Sequence, residues 1–316
     1  MTSLVATAND LKRASSLAAD ELAKEVSGET LILRDEPMTR HTTLRVGGGA
    51  DLYVEPASEA DLEAVLAFCR HQGQPFFVLG RGSNLLVRDG GFRGVVICLA
   101  RPHFSRIQVV GQRLRCGAGA KLKAVAVEAK RNDLAGLEFL EGIPGSVGGA
   151  LRMNAGAMGG AMFDVAESVR LMDFDGQVNE RGAVELSAAY RSCPVLKTHI
   201  ALAAVLRCGL GQREAIEQRM NDYSRKRWQS QPAAPSAGCI FRNPASTSAG
   251  RLIDELGLKG MRVGGALVSS EHANFIVNDG AATARDVLAL MEAIRHRARL
   301  ERGIELETEV EIVGEE

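Results

Sequence analysis

The sequence predicts an α+β chain of two domains behind an N-terminal helix, and three observations carry this. Short apolar runs of strand length, at 75–79, 95–97 and 107–110, are interspersed with segments of helical period. The texture changes at Gly209-Leu210-Gly211, beyond which a charged helical segment begins, so the chain divides into residues 1–36 as helix and lead-in, 37–208 as a first domain and 209–316 as a smaller second one. A candidate dinucleotide fingerprint, Gly80-Arg81-Gly82, has Leu85 where the third glycine belongs and no crossover helix after it, which excludes a Rossmann unit.

Taken in order, Leu11, Leu17, Ala18 and Leu22 recur at helical spacing and predict an amphipathic helix over residues 9–26. Alternation over 51–55, stopped by Pro56, predicts a strand. Ser58 is the cap of a helix that carries Leu62, Val65, Leu66 and Cys69 on one face and stops at Gly73. Residues 75–79 read as a buried strand that runs straight into a glycine turn, the junction that phosphate groups occupy. Strands at 95–97 and 107–110 and a helix over 122–130 follow, then a hairpin of 168–173 with 177–180 turning at Asp175-Gly176, and a strand over 201–208. In the second domain a helix runs to about Trp228 with Ile216, Met220 and Tyr223 as its apolar face. After a connector at 229–238 come a short helix at 251–256, a strand at 274–277, a helix over 283–299 and a last strand over 306–313.

Composition narrows the function classes. The 38 basic and 39 acidic side chains cancel to a net charge of −1, so no bulk field points to nucleic acid or to an anionic membrane, and anion binding has to be local. Cys69, Cys98, Cys116, Cys193, Cys208 and Cys239 form no CxxC pair, which fits a reduced cytoplasmic compartment. Charges interrupt the N-terminal segment, so neither a cleavable leader nor membrane insertion is expected. The histidines lack ligand spacing, and no metal site is expected.

The chemistry lies in three glycine loops. Gly47-Gly48-Gly49, Gly80-Arg81-Gly82-Ser83-Asn84 and Pro144-Gly145-Ser146-Val147-Gly148-Gly149 are poor in fixed charge, so they offer peptide N–H groups to a ligand such as a diphosphate-containing cofactor. A plain multi-turn loop is the alternative.

The wording of these loops carries a resemblance. Thr43-Leu44-Arg45-Val46-Gly47-Gly48, Leu79-Gly80-Arg81-Gly82-Ser83-Asn84-Leu85, Gly142-Ile143-Pro144-Gly145-Ser146-Val147-Gly148-Gly149 and Met153-Asn154-Ala155-Gly156-Ala157 closely resemble, in order and spacing, the UDP-N-acetylenolpyruvoylglucosamine reductase family in its shorter subclass. The resemblance spans about residues 39–314. It implies an FAD-binding domain of the vanillyl-alcohol-oxidase (PCMH) type holding FAD noncovalently, followed by a smaller α+β substrate domain. It also implies the reaction: NADPH reduces the flavin, hydride passes to the β-carbon of UDP-N-acetylglucosamine enolpyruvate, the α-carbon is protonated, and UDP-N-acetylmuramate results. A monomer is expected. The two rivals are a flavin oxidase on the same scaffold and a binding module without catalysis.

The resemblance assigns residues. Gly47, Gly48, Gly80, Arg81, Gly82, Ser83, Asn84, Leu85, Gly142, Ile143, Pro144, Gly145, Ser146, Gly148, Gly149, Asn154, Ala155 and Gly156 fall in its cofactor-binding motifs. Hydride addition leaves an enolate-like charge that has to be stabilised and quenched, which calls for an acid and for cationic or hydrogen-bonding groups. Cys239 stands where the family keeps its proton donor, often a serine; by itself a cysteine before Ile240 and Phe241 reads as a small buried hydrophobe. Arg191 matches the catalytic arginine, against a plain surface reading. Glu309 matches the third catalytic position, although Glu305, Glu307, Glu309 and Glu311 alternate like one solvated strand face. Tyr190, Arg227, Arg242 and Asn243 match substrate-binding positions, and Arg227 equally suits the dipole at the end of its helix. Met158 and Thr308 replace a tyrosine and a proline that are common in the family.

Overall fold

The computed structural model describes the backbone from Ala8 to Glu316 and side chains from Ser16 onward. Its contacts group the chain into two compact units. One holds the described residues up to Glu36 with Ala50–Gly80 and Arg93–Glu217; the other holds Pro37–Gly49, Arg81–Phe92 and Gln218–Glu316. Compactness is thus interleaved in sequence, whereas the division expected from the change of texture is a single cut at 208/209.

The first unit combines two sheets with helices. A four-stranded sheet has the order Leu31–Pro37, Gly49–Glu55, Phe92–Cys98, Phe76–Leu79, and its last two strands are parallel. A five-stranded antiparallel sheet has the order Val178–Gly182, Ala166–Asp173, His199–Arg207, Arg113–Gly117, Ile107–Val110. The expected hairpin is present: Asp173 Oδ1 accepts from the N–H groups of Asp175 and Gln177 at 2.9 and 2.8 Å, and Gly176 takes φ +91°. Helix Glu59–His71 begins at Ser58, whose hydroxyl accepts from Asp61 N at 3.1 Å, and it buries Leu62, Val65, Leu66 and Cys69. Arg170 on the five-stranded sheet donates two bonds, at 3.0 and 2.8 Å, to the Glu59 carboxylate on this helix.

Helix Ala8–Glu25 departs from expectation in its inner face. Leu22 and Ala19 are buried, but Leu17 is 59 % exposed, and Leu11 lies outside the described side chains. At about 100° per residue, Leu17 sits well round the helix from Leu22, so a strip that includes Leu17 with Ala18 and Leu22 is set at the wrong angle.

In the second unit an antiparallel sheet has the order Ser236–Cys239, Phe275–Asn278, Ala266–Val268, Arg262–Val263. Helices Ala249–Glu255 and Ala284–Arg302 join it around one core that includes Leu252, Ile253, Val287, Leu290, Met291 and Ile294. Helix Ala284–Arg302 starts at Thr283, receives the Asp89 carboxylate on Ala284 N and Arg285 N, both at 2.9 Å, and stops at Gly303 with φ +63°.

The last strand is shorter than expected, covering Glu311–Val313 and pairing in parallel with Leu85–Val87. Upstream of it Arg242 N donates to Glu307 O and Glu309 N to Ile240 O, at 2.9 and 2.8 Å. The chain changes partner around Val310, so no continuous ladder runs over 306–313.

Candidate active site

In the second unit the proton-donor candidate is placed by a bulge. Strand Ser236–Cys239 pairs Ser236 with Val277 and Cys239 with Phe275, so an extra residue is accommodated between them, where Gly238 adopts φ +76°. Such bulges turn a strand and re-aim the next side chain. Cys239 is half-buried and the five other cysteines are buried. Burial pushes the thiols of Cys69 and Cys116 up to about 12 and that of Cys208 up to about 11, which makes them inert.

Cys239 and Glu309 are brought onto neighbouring segments. Glu309 N donates to Ile240 O, and Phe241 forms a single bridge with Thr308. On the other side Asn84 Nδ2 donates to Glu309 O at 3.1 Å, and Asn84 O accepts from Glu311 N at 3.1 Å. One asparagine thus ties an expected cofactor loop to the segment that carries an expected catalytic carboxylate. Burial pulls the Arg227 guanidinium below its usual value, and Cys239 opposes that shift. Arg242 pairs with Glu307 at 3.6 Å, and its buried Nε has no hydrogen-bond partner among the described residues. Asn243 spends Oδ1 on Ala249 N at 3.0 Å.

The Gly80–Asn84 turn suits an anion. Among the described residues no acceptor takes the N–H groups of Arg81, Gly82, Ser83 or Asn84. Consecutive open amides around a glycine at φ +60° form the concavity that binds phosphate oxygens. Leu85 is buried at 3 % exposure and belongs to the core strand, offering no side chain to a ligand. Gly47, Gly48 and Gly82 are required by the protein itself: a Cβ would fall 2.1 Å from Val87 O, 2.4 Å from Asp89 O and 2.1 Å from His41 O.

In the first unit Ser146 caps helix Val147–Arg152, accepting from Gly149 N at 3.4 Å. Here the expected amide donors are partly committed, since Val147 N and Gly148 N donate to Ala120 O and Ala118 O at 3.0 and 2.8 Å. Gly145 N and Ser146 N remain without an acceptor among the described residues. A Cβ on Gly142 would meet nothing within 4 Å, and on Gly149 only Ser146 Oγ at 3.6 Å, so backbone lies open there. A Cβ on Gly80 would lie 3.0 Å from the same hydroxyl. These open amides and uncovered glycines fit a dinucleotide carrying a diphosphate. Ala155 N donates to Ala150 O, and Gly156 pairs across a tight turn with Ala161.

Arg191 sits in a two-residue turn closed by Ala189 N to Ser192 O and Ser192 N to Ala189 O, at 2.8 and 3.2 Å, with its own φ at +54°. Its guanidinium carbon lies 5.5 Å from the ring centre of Tyr190, which is 61 % exposed.

Asn274 was missed from sequence. Its Oδ1 accepts from Phe241 N and its Nδ2 donates to Phe241 O, at 3.0 and 2.8 Å, clamping the chain two residues after Cys239. A lone asparagine at a strand start gives no signal of that task. Among the described residues no group of three His, Cys, Asp or Glu side chains is placed to hold a metal ion, and no helix is long and apolar enough to cross a membrane.

Comparison with known proteins identifies the family. Residues 50–181 match the model of an FAD binding domain, and residues 231–313 match the C-terminal domain of UDP-N-acetylenolpyruvoylglucosamine reductase. The chain is 48 % identical to the UDP-N-acetylenolpyruvoylglucosamine reductase of Heliobacterium modesticaldum over 90 % of this chain and 91 % of that protein. It is also 48 % identical to that of Geobacter metallireducens over 93 % and 97 %. The crystal structure of the corresponding Thermus caldophilus enzyme superposes with a TM-score of 0.78 at 40 % identity, covering 90 % of this chain and 98 % of that one. The chain belongs to the UDP-N-acetylenolpyruvoylglucosamine reductase family and is an α+β oxidoreductase with an FAD-binding domain.

Proposed function

We propose that the protein reduces UDP-N-acetylglucosamine enolpyruvate to UDP-N-acetylmuramate in the cytoplasm, as a monomer, with NADPH as reductant and noncovalent FAD as relay. Residues 37–208 serve the flavin and 209–316 the substrate. The observation that carries this reading is the stapling of Cys239 to Glu309 through Ile240, in a chain 48 % identical to named reductases.

The FAD-binding motifs offer open amides at Arg81–Asn84 in one unit and at Gly145 and Ser146 in the other, and Gly142 and Gly149 leave room beside the backbone for a cofactor. Bound FAD supplies the hydride that reaches the substrate β-carbon. Cys239 gives its Sγ proton to the α-carbon as that hydride adds, and the thiolate left behind is reprotonated from solvent. Thiols ordinarily titrate at about 8.5, so a thiol acid carries its proton at neutral pH. The planar fork of Arg191 steadies the carboxylate and the developing enolate, while Glu309 orients the reacting group. Arg227, Arg242, Asn243 and Tyr190 bind the nucleotide sugar, and the unused Nε of Arg242 is a donor available for it.

The test is direct. Purified protein should be yellow, release its flavin on denaturation, and consume NADPH only with the enolpyruvyl nucleotide. Cys239→Ala should still let NADPH bleach the flavin but should lower turnover by about 10²–10⁴-fold, the usual worth of a general acid. Unchanged turnover removes Cys239 from this role.

A further inference from the structure

We infer that Asn154 is a positioning residue for the Arg191 turn. Asn154 belongs to a motif expected to contact the flavin, yet its carboxamide is spent on two main-chain groups. Its Oδ1 accepts from Phe163 N at 3.1 Å and its Nδ2 donates to Ala189 O at 3.2 Å. Ala189 O is the same oxygen that closes the turn by accepting from Ser192 N. Beside this bond, Cys193 N donates to Arg152 O at 3.0 Å and Arg152 Nη1 to Leu196 O at 2.7 Å. The chain leaving the turn is therefore fastened to the last turn of helix Val147–Arg152, the helix that begins at Ser146 beside the open amides. Asn154, at φ +40°, and Arg191, at φ +54° within the turn that Ala189 closes, are both in left-handed backbone. Asparagine tolerates that region and arginine does not favour it, so the turn needs an outside hold to keep Arg191 there. A side chain committed in this way sets where the guanidinium starts from rather than touching the cofactor.

The inference rests on the role given to Arg191 above. Asn154→Asp keeps size, tolerance of positive φ and the acceptor for Phe163 N–H, but turns the donor facing Ala189 O into an oxygen. FAD affinity and the rate of flavin bleaching by NADPH should stay within twofold of wild type. Reoxidation of the reduced flavin by the enolpyruvyl nucleotide should slow at least tenfold, and amide hydrogen exchange over residues 189–193 should quicken. Asn154→Gly, which relaxes the backbone and removes both bonds, should behave alike and so exclude a folding artefact of the carboxylate. Arg191→Lys should slow the same half-reaction, and adding Asn154→Asp to it should slow it no further, because both act through one guanidinium. Loss of FAD affinity with a normal second half-reaction would make Asn154 a flavin contact and overturn the inference. So would a silent Asn154→Asp beside an impaired Arg191→Lys, which leaves the reaction assignment standing. A silent Arg191→Lys removes the role of Arg191 itself, and the inference with it.

Discussion

Between the two compact units, the expected cofactor loops and the cysteines use the same residue types for opposite ends. In the N-terminal unit Gly142 and Gly149 face open space and the five cysteines are buried; in the C-terminal unit Gly47, Gly48 and Gly82 are filled by the protein's own backbone and Cys239 is half-buried. Among the described residues the buried carboxylates, Asp61 and Glu138, lie in the first beside the neutral Ser146, whereas Thr42, Ser269, Asn274 and Asn278 in the second are all neutral. A glycine or a cysteine therefore says nothing of its role until its neighbours are known.

Substitution of the two kinds of glycine separates them most strongly. Gly47→Ala puts a Cβ 2.1 Å from Val87 O on a backbone at φ +99°, and overpacking plus strain should cost roughly 2–6 kcal/mol, read as loss of folded protein or a sharply lower Tm. Gly149→Ala, in a helix and free of clashes, should leave Tm equal or slightly higher while FAD affinity drops at least about tenfold, because a methyl group stands where the cofactor would meet backbone. Normal flavin binding by Gly149→Ala would end the contrast.

A smaller difference should appear in acid. Burial alone would raise the Asp61 carboxyl, but bonds from Ser27 N and the Ser27 and Ser58 hydroxyls outweigh it and hold the group below its usual value of 3.8. A depressed carboxyl contributes stability above its unfolded pKa and loses it as pH falls through the folded one. Asp61→Asn should thus cost about 2 kcal/mol at pH 7, with the gap from wild type closing on acidification below the usual range. Asn278→Ala, which removes bonds to Leu44 O and Arg45 O, should cost a similar amount with no such closing. Denaturant titrations at pH 7 and in acid read both.

The mildest probe is thiol labelling. One of the six cysteines should react with an aromatic disulfide reagent in the native protein, mapped to Cys239, and all six after unfolding. Fast native labelling of Cys69 or Cys116 would contradict their burial.

Much of this was legible in the residues themselves. The Ser58 cap, the start of a helix at 283 and the Asp175-Gly176 hairpin are local devices, each set by a few adjacent side chains, and they fall where expected. The family followed from motif wording and is borne out by identity over nine tenths of the chain. The face of the first helix and the end of the last strand were misjudged because both depend on partners distant in sequence: Leu17 is left mostly exposed, and the chain after Leu306 exchanges Phe241 for Leu85 as its companion.

What the sequence determined alone is therefore the set of short-range conformations and the chemical inventory, since caps, turns and glycine loops depend on bonds spanning a few residues. What only the tertiary structure decided is which of those groups remain available. Whether an amide is open, as at Arg81–Asn84, or spent, as at Val147 and Gly148, depends on acceptors such as Ala118 O and Ala120 O that lie far along the chain and come near only when it folds.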